Sequence, residues 1–222
     1  MIHSALIKRD ITLAMRRPGE VLTPIGFFLM IASLFPLAIG PSDEILSLVR
    51  PAILWIAVLL AALPSFDKLY HQDYHNGFID KLILKRMSLW EYAVMRMIGH
   101  LLVMGLPLLA TLPVIALFFA INIAAIPLLA VIIAIGLIAL TLLGSIAASL
   151  TLGARQSSVL SAVLILPLAF PILIFGTLAS RAVIEGGDYV SHLALLASAC
   201  LFLVVLSPAA TFYALRNAAQ ER

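Results

Sequence analysis

The chain has 222 residues, of which 63% are hydrophobic and 11% charged, and a mean hydropathy of +1.14, whereas ordinary soluble domains carry roughly 25% charged residues. These values exclude a soluble globular domain and place the chain in a bilayer, where length is counted in spans of about 20 apolar residues. The net charge of +3 is then a topology signal rather than a nucleic-acid footprint, and the single cysteine, Cys200, excludes an intramolecular disulfide.

Residues 1–20 come first. Lys8, Arg9, Asp10, Arg16 and Arg17 interrupt any apolar run of the kind a cleavable signal needs. Ile7, Ile11, Ala14 and Met15 share a helical arc, so the segment reads as an imperfectly amphipathic helix lying on the membrane surface. Six apolar segments follow, at 21–40, 51–66, 97–121, 126–152, 157–180 and 190–215, and none contains Asp, Glu, Lys or Arg. The second is short and is expected to gain a few residues from its flanks. All six are too long and too uniformly apolar for the alternating strands of a membrane barrel, so an all-α integral membrane protein with six transmembrane helices follows.

Basic residues fix the orientation. Lys8, Arg9, Arg16, Arg17, Lys68, Lys81, Lys85, Arg86, Arg96, Arg155, Arg216 and Arg222 fall on one side of the six spans, and only Arg50 and Arg181 on the other. By the positive-inside rule both termini and the 67–96 segment are expected in the cytoplasm, with 41–50, 122–125 and 181–189 outside.

Proline and small residues mark particular spans. Pro24, Pro36, Pro107, Pro113, Pro167 and Pro171 lie within them, each removing a backbone donor. Pro36, Pro107, Pro167 and Pro171 are candidates for helix bending or gating. Pro167 and Pro171, one turn apart, make the fifth span the expected broken helix. On the fourth span Ser145, Ser149 and Gly153 recur every four residues, a face that would let another helix approach closely.

Catalytic signatures are absent. His71 and His75 have the i, i+4 spacing of zinc proteases, but Gln72 stands where their general-base glutamate would be. A metal site would need further ligands, and a solvated helix accounts for the pair. No lysine is followed by Ser or Thr, so no phosphate-cradling loop of the Gly-Lys-Ser/Thr type exists in this chain. His100, at the start of the third span, is the nearest candidate for an intramembrane titrating group, and a lone histidine near a helix end is more often an interfacial hydrogen-bonding residue. The chain therefore reads as a non-enzyme whose energy comes from elsewhere. Its internal charge gathers in 67–96, where Tyr70, Tyr74, Phe78, Leu82 and Trp90 alternate with Asp67, Asp73, Asp80, Lys81 and Lys85. Asn76-Gly77 breaks that run into two short helices, a surface suited to a soluble partner or to lipid.

The chain resembles the CcmB family, the membrane subunit of the cytochrome c maturation ABC transporter, over essentially its whole length. The resemblance is carried by Phe27-Phe28-Leu29 and Leu34-Phe35-Pro36-Leu37-Ala38-Ile39-Gly40-Pro41, by Gly105-Leu106-Pro107-Leu108-Leu109, and by the 164–176 block around Pro167 and Pro171. Asp73 to Leu82 resembles the family's acidic, glycine-containing element after the second span. The stretch Arg155-Gln156-Ser157-Ser158 departs from the family's basic-then-glycine turn.

What the resemblance implies is a single permease domain in the ABC-2-type exporter arrangement, in the bacterial inner membrane, forming a homodimeric core. It implies a separate ATP-binding subunit, CcmA, association with CcmC and CcmD, and delivery of haem to the chaperone CcmE. ATP would be bound by the partner and would drive either haem export or the release of haem-loaded CcmE from CcmC, with haem as a possible cargo and no ligand for it identified on this chain. Asp73, Tyr74, Gly77, Asp80 and Lys81 would then couple the spans to the ATPase. The competing readings are an ABC-2-type permease for a lipid or drug, and a membrane assembly scaffold with no motor.

Overall fold

A computed structural model describes residues 2–40, 43–84 and 87–220; Pro41, Lys85, Arg86 and Arg222, which figure in the sequence reading, lie outside them. The described residues are helical throughout apart from turns, and six helical stretches are long and apolar enough to cross a membrane. The chain is a multi-pass membrane protein.

Helix α1 (Ile2–Arg16) is followed after Arg17 by α2 (Pro18–Ile39), the first span, with Pro18 at the helix start, where a missing N–H costs nothing. The face that α1 buries is Leu6, Asp10 and Ala14, spaced by four, whereas Ile11 and Met15 point outward. Of the apolar arc Ile7, Ile11, Ala14 and Met15, only Ala14 is thus buried against protein. An acidic residue sits in the middle of the face packed on protein.

The second span is far longer than its apolar run. Helix α3 (Asp43–His75) has 33 residues, about 50 Å at 1.5 Å per residue, against a hydrocarbon core of about 30 Å. Hydropathy falls at Asp67 and Lys68, yet nothing there breaks a helix, so the backbone continues to Asn76-Gly77. Gly77 takes φ +62°, the left-handed conformation glycine adopts without strain, and turns the chain into α4 (Phe78–Leu84). The expected turn is present, but the helix before it is the end of a span rather than a separate short element.

The third span, not the fifth, is the broken one. It consists of α5 (Leu89–His100), a π-helical turn (Leu101–Gly105), α6 (Leu106–Ala110) and α7 (Leu112–Phe118). The Leu106 N–H bonds back to the Leu101 carbonyl, five residues away, just before Pro107, which has no N–H to give. A wide turn of this kind absorbs a register defect. At Thr111 the helix tightens instead, and the hydroxyl donates to the Leu108 carbonyl at 2.7 Å. After α7, Arg50 donates from Nη1 to the Phe119 carbonyl at 3.0 Å, so one of the two basic residues on the sparse side satisfies a helix end.

After a short 3₁₀ turn come α8 (Ile126–Leu150), α9 (Ser157–Glu185) and α10 (Val190–Gln220). Helix α9 is continuous through Pro167 and Pro171. Both prolines are exposed on one outer face, and the opposite face of Ile165, Ala169, Ile172 and Gly176 stays buried and intact. Because the two missing donors stack on the same side, the packed side of the ladder carries the helix past them.

Helix α8 is central and packs on α3, α9 and α10. Ser145 and Ser149 are buried on it, as a small-residue face requires, but the helix ends at Leu150. Gly153 lies beyond it in a turn at φ +82°, so it does not continue the packing face. The closest approaches are made at other glycines. Trp55 of α3 is wedged between α8 and α9, where a Cβ on Gly136 would fall 2.1 Å from its ring and one on Gly176 2.3 Å. Its indole Nε1 donates to Ser180 Oγ at 2.9 Å, so the buried N–H is satisfied.

Candidate functional site

The end of the bundle on the basic side holds a cluster of charges drawn from three helices. Arg9 and Asp10 come from α1, Asp73 from the overhang of α3, and Arg96 from the third turn of α5. Arg9 faces Asp73 through two parallel bonds, Nη2 to Oδ2 at 2.9 Å and Nη1 to Oδ1 at 3.2 Å. Arg96 donates from Nη1 to Asp10 Oδ1 at 2.7 Å, and its Nε lies 3.6 Å from Asp73 Oδ2. The Tyr92 hydroxyl completes the Asp73 shell, donating to Oδ2 at 2.7 Å.

Two cations and two anions in contact sum to zero, which is the condition under which burying them is tolerable. Both carboxylates are buried, and the Arg96 side chain is 14% exposed. Arg96 also donates from Nε to the Leu69 carbonyl at 3.0 Å, and from Nη2 to the same oxygen. A carbonyl already engaged in the α3 ladder thus receives the guanidinium too. Burial works against the Arg9 charge, but the hydrogen bond and the charge of Asp73 outweigh it and hold its pKa above the ordinary arginine value. The Arg9 guanidinium also lies 5.0 Å over the Phe78 ring of α4. One arginine therefore touches α3 and α4 from α1.

Hydroxyl groups carry the connection inward. The Tyr70 and Tyr92 rings lie 6.0 Å apart. Tyr70 Oη sits 2.8 Å from Ser145 Oγ on α8, and Ser145 Oγ lies 3.1 Å from Thr211 Oγ1 on α10. Deeper still, the Ser207 hydroxyl donates to the Leu142 carbonyl at 2.7 Å. A displacement of the α3 overhang would therefore be felt in α1 and α5 through ion pairs, and in α8 and α10 through Tyr70.

The residues singled out in the sequence separate on this frame. Asp73 is held within the chain. Tyr74 is half-buried, and its hydroxyl contacts the Ala218 carbonyl at 3.5 Å. Gly77 forms the turn, Asp80 is half-buried on α4, and Lys81 is exposed. His71 and His75 have ring centroids 4.3 Å apart, and no group of three or more His, Cys, Asp or Glu suited to a metal occurs among the described residues. His100 lies at 3.0 Å from Ser65 Oγ and stacks beside Phe66. Pro36 is inside α2, Pro107 follows the π-helical turn, and Pro167 and Pro171 do not interrupt α9.

Arg9, Asp10, Tyr92 and Arg96 were not legible as a site. In the sequence the arginines count as topology charges, and their partners stand 64 and 86 positions away. The available signal was the Leu6, Asp10, Ala14 spacing, which centres an acid on one face of α1.

Comparison with known proteins places this geometry in context. The family model described as CcmB protein matches residues 1–218. A protein named heme exporter protein B from Haemophilus influenzae is 37% identical over 216 residues, covering 97% of this chain and 98% of its own. Proteins of the same name from Bradyrhizobium diazoefficiens and Escherichia coli K12 are 38% and 34% identical, over 96% and 99% of this chain and 97% and 100% of theirs.

Proposed function

The chain belongs to the CcmB family, and on that premise we propose that it is the permease subunit of an ATP-driven exporter serving c-type cytochrome assembly. Its cargo is haem, or the haem-loaded chaperone whose release it drives, and the relatives named heme exporter protein B support that cargo over a lipid or a drug. ATP is hydrolysed on a separate CcmA-like chain, and this chain has no catalytic site of its own. CcmC-like and CcmD-like membrane subunits and a CcmE-like chaperone complete the assembly, with two copies of this chain at its core. The excess of basic residues on one side supports an inner-membrane orientation with both termini in the cytoplasm.

The observation that carries the coupling role is the α3 overhang with its Gly77 turn and α4. It projects the charged 73–81 segment beyond the apolar run while Arg9, Asp73 and Arg96 tie its base to α1 and α5. A force applied to α4 thus reaches several spans without a flexible linker between. Gly77 and Lys81, with Asp80 and Tyr74 beside them, form the surface offered to the ATPase, and Asp73 sets its position from inside.

The test combines a phenotype and a binding assay. Cells lacking the gene should lose covalently bound haem from all c-type cytochromes and keep b-type cytochromes, and the restored gene should reverse this. Asp80→Lys with Gly77→Pro should leave the chain in the membrane but abolish copurification of the ATPase and coupled ATP turnover. Unchanged c-type cytochromes in the deletion would remove the haem reading; intact coupling in the double variant would remove this assignment of the surface.

A further inference from the structure

A cavity of about 260 Å³ opens between α1, α2, α3 and α5, with Asp10 and Arg96 of the charge cluster in its wall. Three helices lose their charged residues at the same level here: Glu20 precedes the apolar run of α2, Lys68 follows that of α3, and Arg96 precedes that of the third span. The cavity therefore straddles the boundary between headgroups and hydrocarbon. All six of Phe27, Val103, Met104, Thr23, Lys68 and Gln72 line it, the first three set farther into their apolar runs along the chain than the last three.

The charges around it are not equally engaged. Arg96 and Asp10 neutralise one another, and Glu20 is 3.5 Å from Arg17. Lys68 is exposed and makes no ion pair among the described residues, so one positive charge with mobile donors stands at the polar end. Water alone would wet Phe27 and Met104 at that depth, and hydrocarbon alone would leave Lys68 without an anion. A molecule with an anionic head joined to an apolar chain satisfies both halves.

We propose that this cavity holds one phospholipid of the leaflet bordering the basic side, with its phosphate at Lys68 and the upper part of one acyl chain against Phe27, Val103 and Met104. The volume lies at the small end of ligand pockets, which suits a chain segment entering from the side while the rest of the lipid stays in the bilayer. Such a lipid would fill the space between α2 and the α3–α5 pair next to α1. This goes beyond the haem reading, and lipid retention reports nothing about cargo, so either can fail alone.

The full-length chain would be purified from nanodiscs of phosphatidylethanolamine and phosphatidylglycerol, and retained phospholipid counted by native mass spectrometry. The wild-type chain should keep one phospholipid through delipidation. Lys68→Glu should lower retention by about tenfold, the scale set by reversing one charge beside a phosphate. Val103→Phe, which fills the apolar part and leaves every charge, should lower it as well, whereas Arg216→Glu on α10 should not. Added inorganic phosphate should leave the lipid in place. Equal retention in all variants, no retained lipid in the wild type, or displacement by inorganic phosphate would overturn the assignment. So would a photocrosslinker at position 103 that labels protein rather than lipid.

Discussion

Arg96 reaches Asp10 at 2.7 Å across 86 positions of sequence, joining the third turn of α5 to the middle of the N-terminal helix. The other Asp10 oxygen, Oδ2, has no hydrogen-bond partner among the described residues and packs against Gly99, where a Cβ would fall 2.5 Å from it. Glycine at 99 is thus what lets α1 come close enough for the ion pair to form.

Removing Asp10 should therefore cost more than a surface charge would. Asp10→Ala leaves Arg96 buried with the Leu69 carbonyl and, as its one remaining carboxylate, Asp73 at 3.6 Å, and a loss of about 3 kcal/mol is expected from breaking a buried pair on one side. Thermal unfolding of the purified chain measures it. Asp10→Leu combined with Arg96→Met should recover much of the loss, because no charge is then stranded.

Tyr92 and Tyr74 give opposite expectations for the same substitution. Tyr92→Phe removes a 2.7 Å bond to an ionised carboxylate and should destabilise by about 2 kcal/mol. Tyr74→Phe removes only a 3.5 Å contact to a carbonyl and should fall well below that. Comparable midpoint shifts for the two would contradict the geometry.

Gly77 sits at φ +62°, so an alanine there pays the left-handed penalty, about 1 kcal/mol, with little other change. Gly77→Ala should keep the fold and partly weaken ATPase coupling, and Gly77→Asn, whose side chain tolerates this conformation better, should restore it. Coupled ATP turnover with the partner subunit reads the difference.

Between the second, fourth and fifth spans the limiting dimension is the width of one indole. Gly136→Ala or Gly176→Ala should destabilise by about 1–3 kcal/mol through overpacking, since each methyl would overlap the Trp55 ring. Trp55→Phe should relieve part of that penalty in the double variant, measured again by thermal unfolding. An additive result, with no relief, would mean that the ring is not what the methyl meets.

Hydropathy revealed six spans because the bilayer selects on side-chain solubility, residue by residue. It could not reveal how far α3 runs, because the charges of Asp67, Lys68 and Asp73 change the solvent around a helix without ending it. Asn76-Gly77 was readable, since a left-handed turn has a local residue requirement. The break in the third span was harder to see than two prolines in the fifth, because a proline does not by itself end a helix: α9 runs through exposed Pro167 and Pro171, and α2 and α10 run through buried Pro24 and Pro208. The ion-pair cluster had no local signature at all. Its partners come from three helices, and charge complementarity between distant segments leaves no period in the sequence.

The indole of Trp55, fully buried and clasped by Gly136 and Gly176, makes the middle of the bundle solid. Phe66 does the same one level nearer the basic side, pressed on Gly144. These two aromatic plates key α3 to α8 at two depths and to α9 at one, so α3 cannot slide along α8 without lifting a ring out of its glycine seat.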